Sequence, residues 1–179
     1  SLRSYLLDRL RAEKEESEAH VLDYMSARFN REKSDFFRLC GGSLGGKARG
    51  LGFARAMIKR YGIREKFDAV RIRVPQCAVI GTDEFDRFMK DNDLWEKALR
   101  ITDNKALEMA FDKSRLSIDL MLKLESFIKD NRHPLAVRSS SLLEDSQYQP
   151  LAGTYETYML PNNSRSSKKR LNELITAIK

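Results

Sequence analysis

The chain is 179 residues long, with 41% hydrophobic and 33% charged side chains. That balance fits a folded domain with an ordinary core and excludes a disordered tract, a collagen-like repeat and a disulfide scaffold. Lys and Arg number 33 against 26 Asp and Glu, a net charge of +7, which brings nucleic acid, anionic lipid and nucleotide phosphate forward as partners.

The charge is unevenly placed. Residues 165–179 hold Arg165, Lys168, Lys169, Arg170 and Lys179 against Glu173, so the rest of the chain is close to balanced. Cys40 and Cys77 are the only cysteines, and His20 and His133 the only histidines. None has zinc spacing, so no structural metal site is expected. Lone thiols fit a reducing setting, and a cytoplasmic location is expected. No apolar run approaches the ~20 residues of a membrane span. Ser1-Leu2-Arg3-Ser4 opens without the apolar stretch of a signal peptide. Lacking an initiating Met, the chain is expected to be a piece of a longer protein.

In chain order, Leu2, Leu6, Leu10, Val21, Leu22, Met25 and Phe29 recur at helical spacing and predict one long helix over 2–29. Its middle, 13–18, is polar all round, as in a helix linking two bodies or one packed at a single end. Residues 1–33 are therefore set apart as a helical connector. Six of the nine glycines then fall between Gly41 and Gly52. Leu51, Ala54, Met57, Ile58 and Tyr61 follow at helical spacing. Val70, Ile72 and Val74 alternate with arginines as a strand, Pro75 interrupts, and 78–80 resumes it. Thr82 is the expected N-cap of a helix to about Asp91. Residues 93–130 read as two or three helices, the last with Leu120, Met121, Leu124 and Ile128 on one face. Residues 134–138 read as a strand, 139–152 as a polar loop, and 154–160 as a second strand. Asn162-Asn163-Ser164 is expected to cap a closing helix, and His133 to help end the helix before it.

Two segments carry chemistry. Gly41-Gly42-Ser43-Leu44-Gly45-Gly46-Lys47-Ala48 places glycine amides before a helix start, with a lysine to supply a full charge. Gly41, Gly46 and Lys47 satisfy G-x-x-x-x-G-K, but Ala48 stands where a P-loop needs the metal-binding Ser or Thr. A flexible loop with a solvated lysine is the bland alternative. The second segment is Leu135-Ala136-Val137-Arg138-Ser139-Ser140-Ser141, running to Glu144 and Asp145. A strand ending in Arg beside serines suits bidentate phosphate binding. An arginine paired with Glu144 or Asp145 in a structural loop explains the same residues.

Taken together, Gly45-Gly46-Lys47, the stretch Val74-Pro75-Gln76-Cys77-Ala78-Val79-Ile80, and the block from Ala136-Val137-Arg138-Ser139-Ser140 through Glu144-Asp145 to Ala152-Gly153-Thr154-Tyr155-Glu156-Thr157 occur in one order. That order resembles the N-terminal ATP-binding domain of the phosphoenolpyruvate synthase and pyruvate phosphate dikinase family, a domain shared with rifampin phosphotransferase and glucan water dikinases. The resemblance implies an α+β, ATP-grasp-like fold, incomplete here, over 34–179. It implies that Mg-bound ATP phosphorylates a histidine on a separate swivelling domain, giving AMP and phosphate overall, with a phosphoenolpyruvate/pyruvate-binding domain beyond.

By position, Lys47 and Arg138 match the nucleotide-phosphate contacts, Arg138 in the catalytic role, and Gly153 a glycine close to the nucleotide. Ser139 and Thr157 complete the implied cofactor contacts, with Ser140, Glu144 and Asp145 in the same block. Ala48-Arg49-Gly50-Leu51 departs from the family's usual G-A-N-L after the lysine, and 147–151 replaces a shorter loop. The family's metal-binding acids and adenine-contacting strand lie further along than Lys179, so weak ATP binding and no activity are expected of the piece alone. The alternatives are a regulatory module with a vestigial ATP site, and a nucleic-acid binder using the basic closing helix.

Overall fold

A computed structural model describes residues 22–23, 36–67, 69–70, 72–141 and 155–179. Three short parallel strands, β1 (Leu22–Asp23), β2 (Phe36–Arg38) and β3 (Cys77–Val79), form one sheet in the order β1-β2-β3. Phe36 pairs with Cys77, Phe37 with Ala78 and Arg38 with Val79. Parallel strands bury both faces, and Phe36 and Phe37 are fully enclosed. A second sheet pairs β4 (Leu135–Arg138) antiparallel to β5 (Thr157–Leu160). The helices are α1 (Gly46–Arg60), α2 (Thr82–Asp91), α3 (Leu94–Arg100), α4 (Asn104–Lys113), α5 (Ile118–Asp130) and α6 (Ser167–Ile178), with a 3₁₀ turn at Ile63–Lys66. Among the described residues no helix is long and apolar enough to cross a membrane.

Several expectations need correction. Leu22–Asp23 lie in β1 rather than in a helix, because their backbone pairs with Phe37 and Arg38. The rest of the expected 2–29 helix lies outside the described residues. Residues 72–76 are not strand. The ladder with β2 begins only at Cys77, past Pro75, and Val70 stays exposed. Asn162 does not cap α6. Ser166 does, its hydroxyl accepting the Lys169 amide.

The main core brings Phe37, Leu39 and Cys40 from β2 and its exit against Leu120, Leu124 and Ile128 of α5 and Leu174 of α6, with Leu135, Val137 and Leu160 closing it from the second sheet. A satellite cluster joins Phe88 and Met89 of α2 to Leu94 of α3, with Phe111 of α4 against it. Polar clamps tie the two together. Buried Glu84 accepts the Ser117 amide at 3.2 Å, at the start of α5, and pairs with Arg87 at 3.6 Å. Asn92 donates to the Phe88 and Arg115 carbonyls and accepts the Arg115 amide.

Arg170 belongs to this interior. Its side chain is 2% exposed, and Nη1 donates to the carbonyls of Ile128 (2.9 Å) and Asn131 (2.6 Å) and to Asn162 Oδ1 (3.3 Å). Asn162, at φ 51, donates in turn to the carbonyls of Asn131 (3.1 Å) and His133 (2.9 Å). The last carbonyls of α5 carry the negative end of the helix dipole, which is what makes a buried guanidinium tolerable there. The end of α5 is thus closed by Arg170 and Asn162 rather than by the His133 side chain. The basic cluster loses one of its charges to the core, and Lys169 lies 3.9 Å from Glu173.

Replacing Arg170 by Met leaves buried carbonyls without donors, at a cost of about 3 kcal/mol. The thermal midpoint is expected to fall by roughly 10 °C. Burial, with Glu84 nearby, pushes the Cys40 thiol up from 9.0 to about 11. The stability held by the neutral thiol is complete below pH 9 and lost as pH rises toward about 11. Denaturation midpoints at pH 8 and pH 10.5 should therefore diverge more in the parent chain than in Cys40→Ala.

Candidate functional site

Chain leaving β2 turns through the glycine segment before α1 begins. Arg38 Nη1 donates to the Gly42 carbonyl at 3.2 Å. Gly42 sits at φ 96, where a side chain would also press on the Asp83 amide. The Ser43 amide donates to Thr82 Oγ1 at 2.9 Å, and the Thr82 amide to the Ser43 carbonyl at 3.1 Å. Thr82 is therefore the first residue of α2, with Gly81 as its N-cap. Its hydroxyl, expected to cap its own helix, clamps the glycine segment instead.

Gly45 is the N-cap of α1 and contributes no side-chain acceptor. Lys47 is the second helical residue, half-buried, with Nζ shielded from solvent. Arg49 reaches back to Ser43 Oγ at 2.6 Å. Only Ala48 and Gly52 of α1 are buried, and Phe53 is 60% exposed. The helix is thus anchored by its N-terminal turn.

Arg138 is the last residue of β4 and lies opposite Thr157, the first of β5. Leu135 and Val137 face the core, which puts Arg138, Ala136, Thr157 and Met159 on the outer face of the ribbon. Ser139 Oγ accepts the Ser141 amide at 3.1 Å, tightening the turn after the strand. Next to Thr157, the Tyr158 hydroxyl is held above its usual range by the charge of Glu156 and a hydrogen bond to it.

The two segments meet. Ser140 Oγ accepts the Ala48 amide at 3.0 Å across 92 positions of sequence. A Cβ on Gly45 would fall on the Ser140 carbonyl. The segment that starts α1 and the turn that follows Arg138 are therefore in direct contact, with Arg38, Lys47, Arg49 and Arg138 on them or beside them. Asp83 lies against Gly41 and Gly42. This excess of cations matches a polyanion. Among the described residues no group of three His, Cys, Asp or Glu fits a metal ion, so none of these residues is assigned to magnesium. Gly153, Glu144 and Asp145 lie outside the described residues.

Sequence reasoning missed Ser140 as the joint and Thr82 as the clamp. Both make side-chain bonds to distant backbone, and such bonds leave no periodicity.

Residues 42–178 match the family model described as pyruvate phosphate dikinase, AMP/ATP-binding domain. No curated protein and no solved structure matches the chain.

Two glycine substitutions should move stability in opposite directions. Gly45→Ala forces the two segments apart and is expected to cost about 1–3 kcal/mol by overpacking. Gly50, inside α1 with nothing near its missing side chain, should gain roughly 0.5–1 kcal/mol as Ala. Urea midpoints check both.

Proposed function

This chain belongs to the family of the pyruvate phosphate dikinase AMP/ATP-binding domain, and from that membership we propose how its own residues serve an ATP-dependent phosphotransferase. Lys47 and Arg138 hold the polyphosphate of ATP. Lys47 acts as a point charge at the start of α1, assisted by the positive end of the helix. Arg138 clamps phosphate oxygens with its planar fork and stabilises the charge spread over the transferring group. Thr157 and Ser139 flank it, with Gly153 close to the nucleotide.

The observation that carries this reading is the contact of Gly45 and Ala48 with Ser140. It places a glycine-rich helix start against the loop that follows a strand-end arginine. A solvated lysine in a loose loop does not account for an N-terminal turn built so closely onto a second cationic segment.

The acceptor is a histidine on a separate swivelling domain, with AMP and phosphate as the overall products and pyruvate or another acceptor receiving the group from that histidine. Magnesium accompanies the nucleotide and supplies further neutralisation of the phosphates when bound. The segment 34–179 forms the part of the nucleotide domain that grips the phosphates, and 1–33 connects it to its neighbour.

Calorimetric titration with MgATP tests the assignment. Arg138 is exposed at a strand end, so Arg138→Ala should leave the thermal midpoint within a few degrees. Its loss should weaken ATP by roughly 100-fold, the value of two charge-assisted hydrogen bonds. Equal affinity in parent and variant removes Arg138 from the site.

A further inference from the structure

We propose that Ser140 is a positioning residue that sets the spacing between Lys47 and Arg138 by capping α1 from the opposite segment. The inference rests on the phosphate-binding reading above and deepens it. A helix start leaves its first amides without acceptors inside the helix, and the N-cap side chain ordinarily supplies one to the third residue. Here the N-cap is Gly45, which has no side chain to offer. The acceptor for Ala48, the third residue, is Ser140 Oγ at 3.0 Å. The cap has been moved to another part of the fold.

That relocation has a geometric effect that a local cap lacks. Ala48 adjoins Lys47, and Ser140 stands two residues after Arg138. A single hydrogen bond therefore connects the two cationic side chains through one residue on one side and two on the other. The backbone contact of Gly45 with the Ser140 carbonyl sets the distance of approach, and the hydroxyl sets the rotation of the α1 start. The Ser139–Ser141 turn holds Ser140 at its centre. Among the described residues, only Ala48 and Gly52 of α1 are fully buried, so its N-terminal turn carries its tightest packing. Loss of the hydroxyl lets the N-terminal turn swing and changes the gap between ammonium and guanidinium.

A ligand that spans both cations feels this change, and a ligand with a single phosphate feels much less of it. ATP and AMP, titrated into the full chain, separate the two cases. In Ser140→Ala, ATP affinity is expected to fall about tenfold, the effect of removing a helix cap, with AMP affinity changed less than twofold. Ser140→Thr, which keeps the hydroxyl, should return ATP affinity to within threefold of the parent. If the alanine variant does not fold, Ser140→Cys, of similar size and a poor acceptor, takes its place.

ATP affinity within twofold of the parent in Ser140→Ala overturns the proposal. So does a parallel loss of ATP and AMP, the mark of general loosening. Failure of the unsubstituted chain to bind ATP, or an unchanged affinity in Arg138→Ala, overturns the phosphate-binding reading itself and this inference with it. A parent that binds ATP and depends on Arg138, with Ser140→Ala unchanged, overturns this inference alone.

Discussion

A guanidinium buried at a helix end organises the half of the molecule that matters most. Arg170 takes the last carbonyls of α5 and the side-chain oxygen of Asn162. Asn162 takes the carbonyls of Asn131 and His133. Four chain segments therefore converge on one cation: the end of α5, the lead into β4, the exit of β5 and the first turn of α6. β4 begins four residues past Asn131, and Arg138 is its last residue. The position of the strand-end arginine is thus inherited from the position of a buried one. All three contacts fall on Nη1, so one cationic nitrogen satisfies several oxygens in an interior closed to water.

The other half of the site descends from backbone approach. Glycines at 42, 45 and 81 bring chain against chain where any side chain would intrude. Serine and threonine hydroxyls then take up the polar groups left at these contacts. The segment from Gly41 to Gly46 is held on one side by α2, through Thr82, and on the other by the turn after β4, through Ser140. Phosphate-type residues mounted on such a frame need little rearrangement to meet a ligand, and preorganisation of this kind is where binding energy is conserved.

Much of this was legible in the chain. Leu120, Leu124 and Ile128 spelled out the buried face of α5 at a four-residue spacing, and Leu135-Ala136-Val137-Arg138 announced a strand with its charge at the end. The resemblance in order of Gly45-Gly46-Lys47 and Val137-Arg138-Ser139-Ser140 identified the family that the match to residues 42–178 shows. The misses share a physical cause. Val70, Ile72 and Val74 alternate as a strand should, but pairing is decided by the neighbour, and β2 meets the chain only at Cys77. Arg170 was counted as surface charge, although it stands four residues before Leu174 and eight before Ile178, on the apolar face of α6. A charged residue at a core position of a helical period was the available signal. Ser140 and Thr82 act on amides far away in sequence, which no local pattern encodes.

The joint at Ser140 also bears on how the molecule comes into being. Its two partners are 92 residues apart, and closing a loop of that length costs about 4 kcal/mol of chain entropy. Contacts inside α2 to α5 are local and form early, whereas this one rewards the chain only after the intervening elements have found their places. A partly folded chain can therefore hold most of its helices and still lack the joint between the two cationic segments. On the proposed phosphate-binding reading, a ligand spanning that seam would draw its stabilisation from the completed domain, and would protect against global opening of the seam far more than against fraying of any single helix.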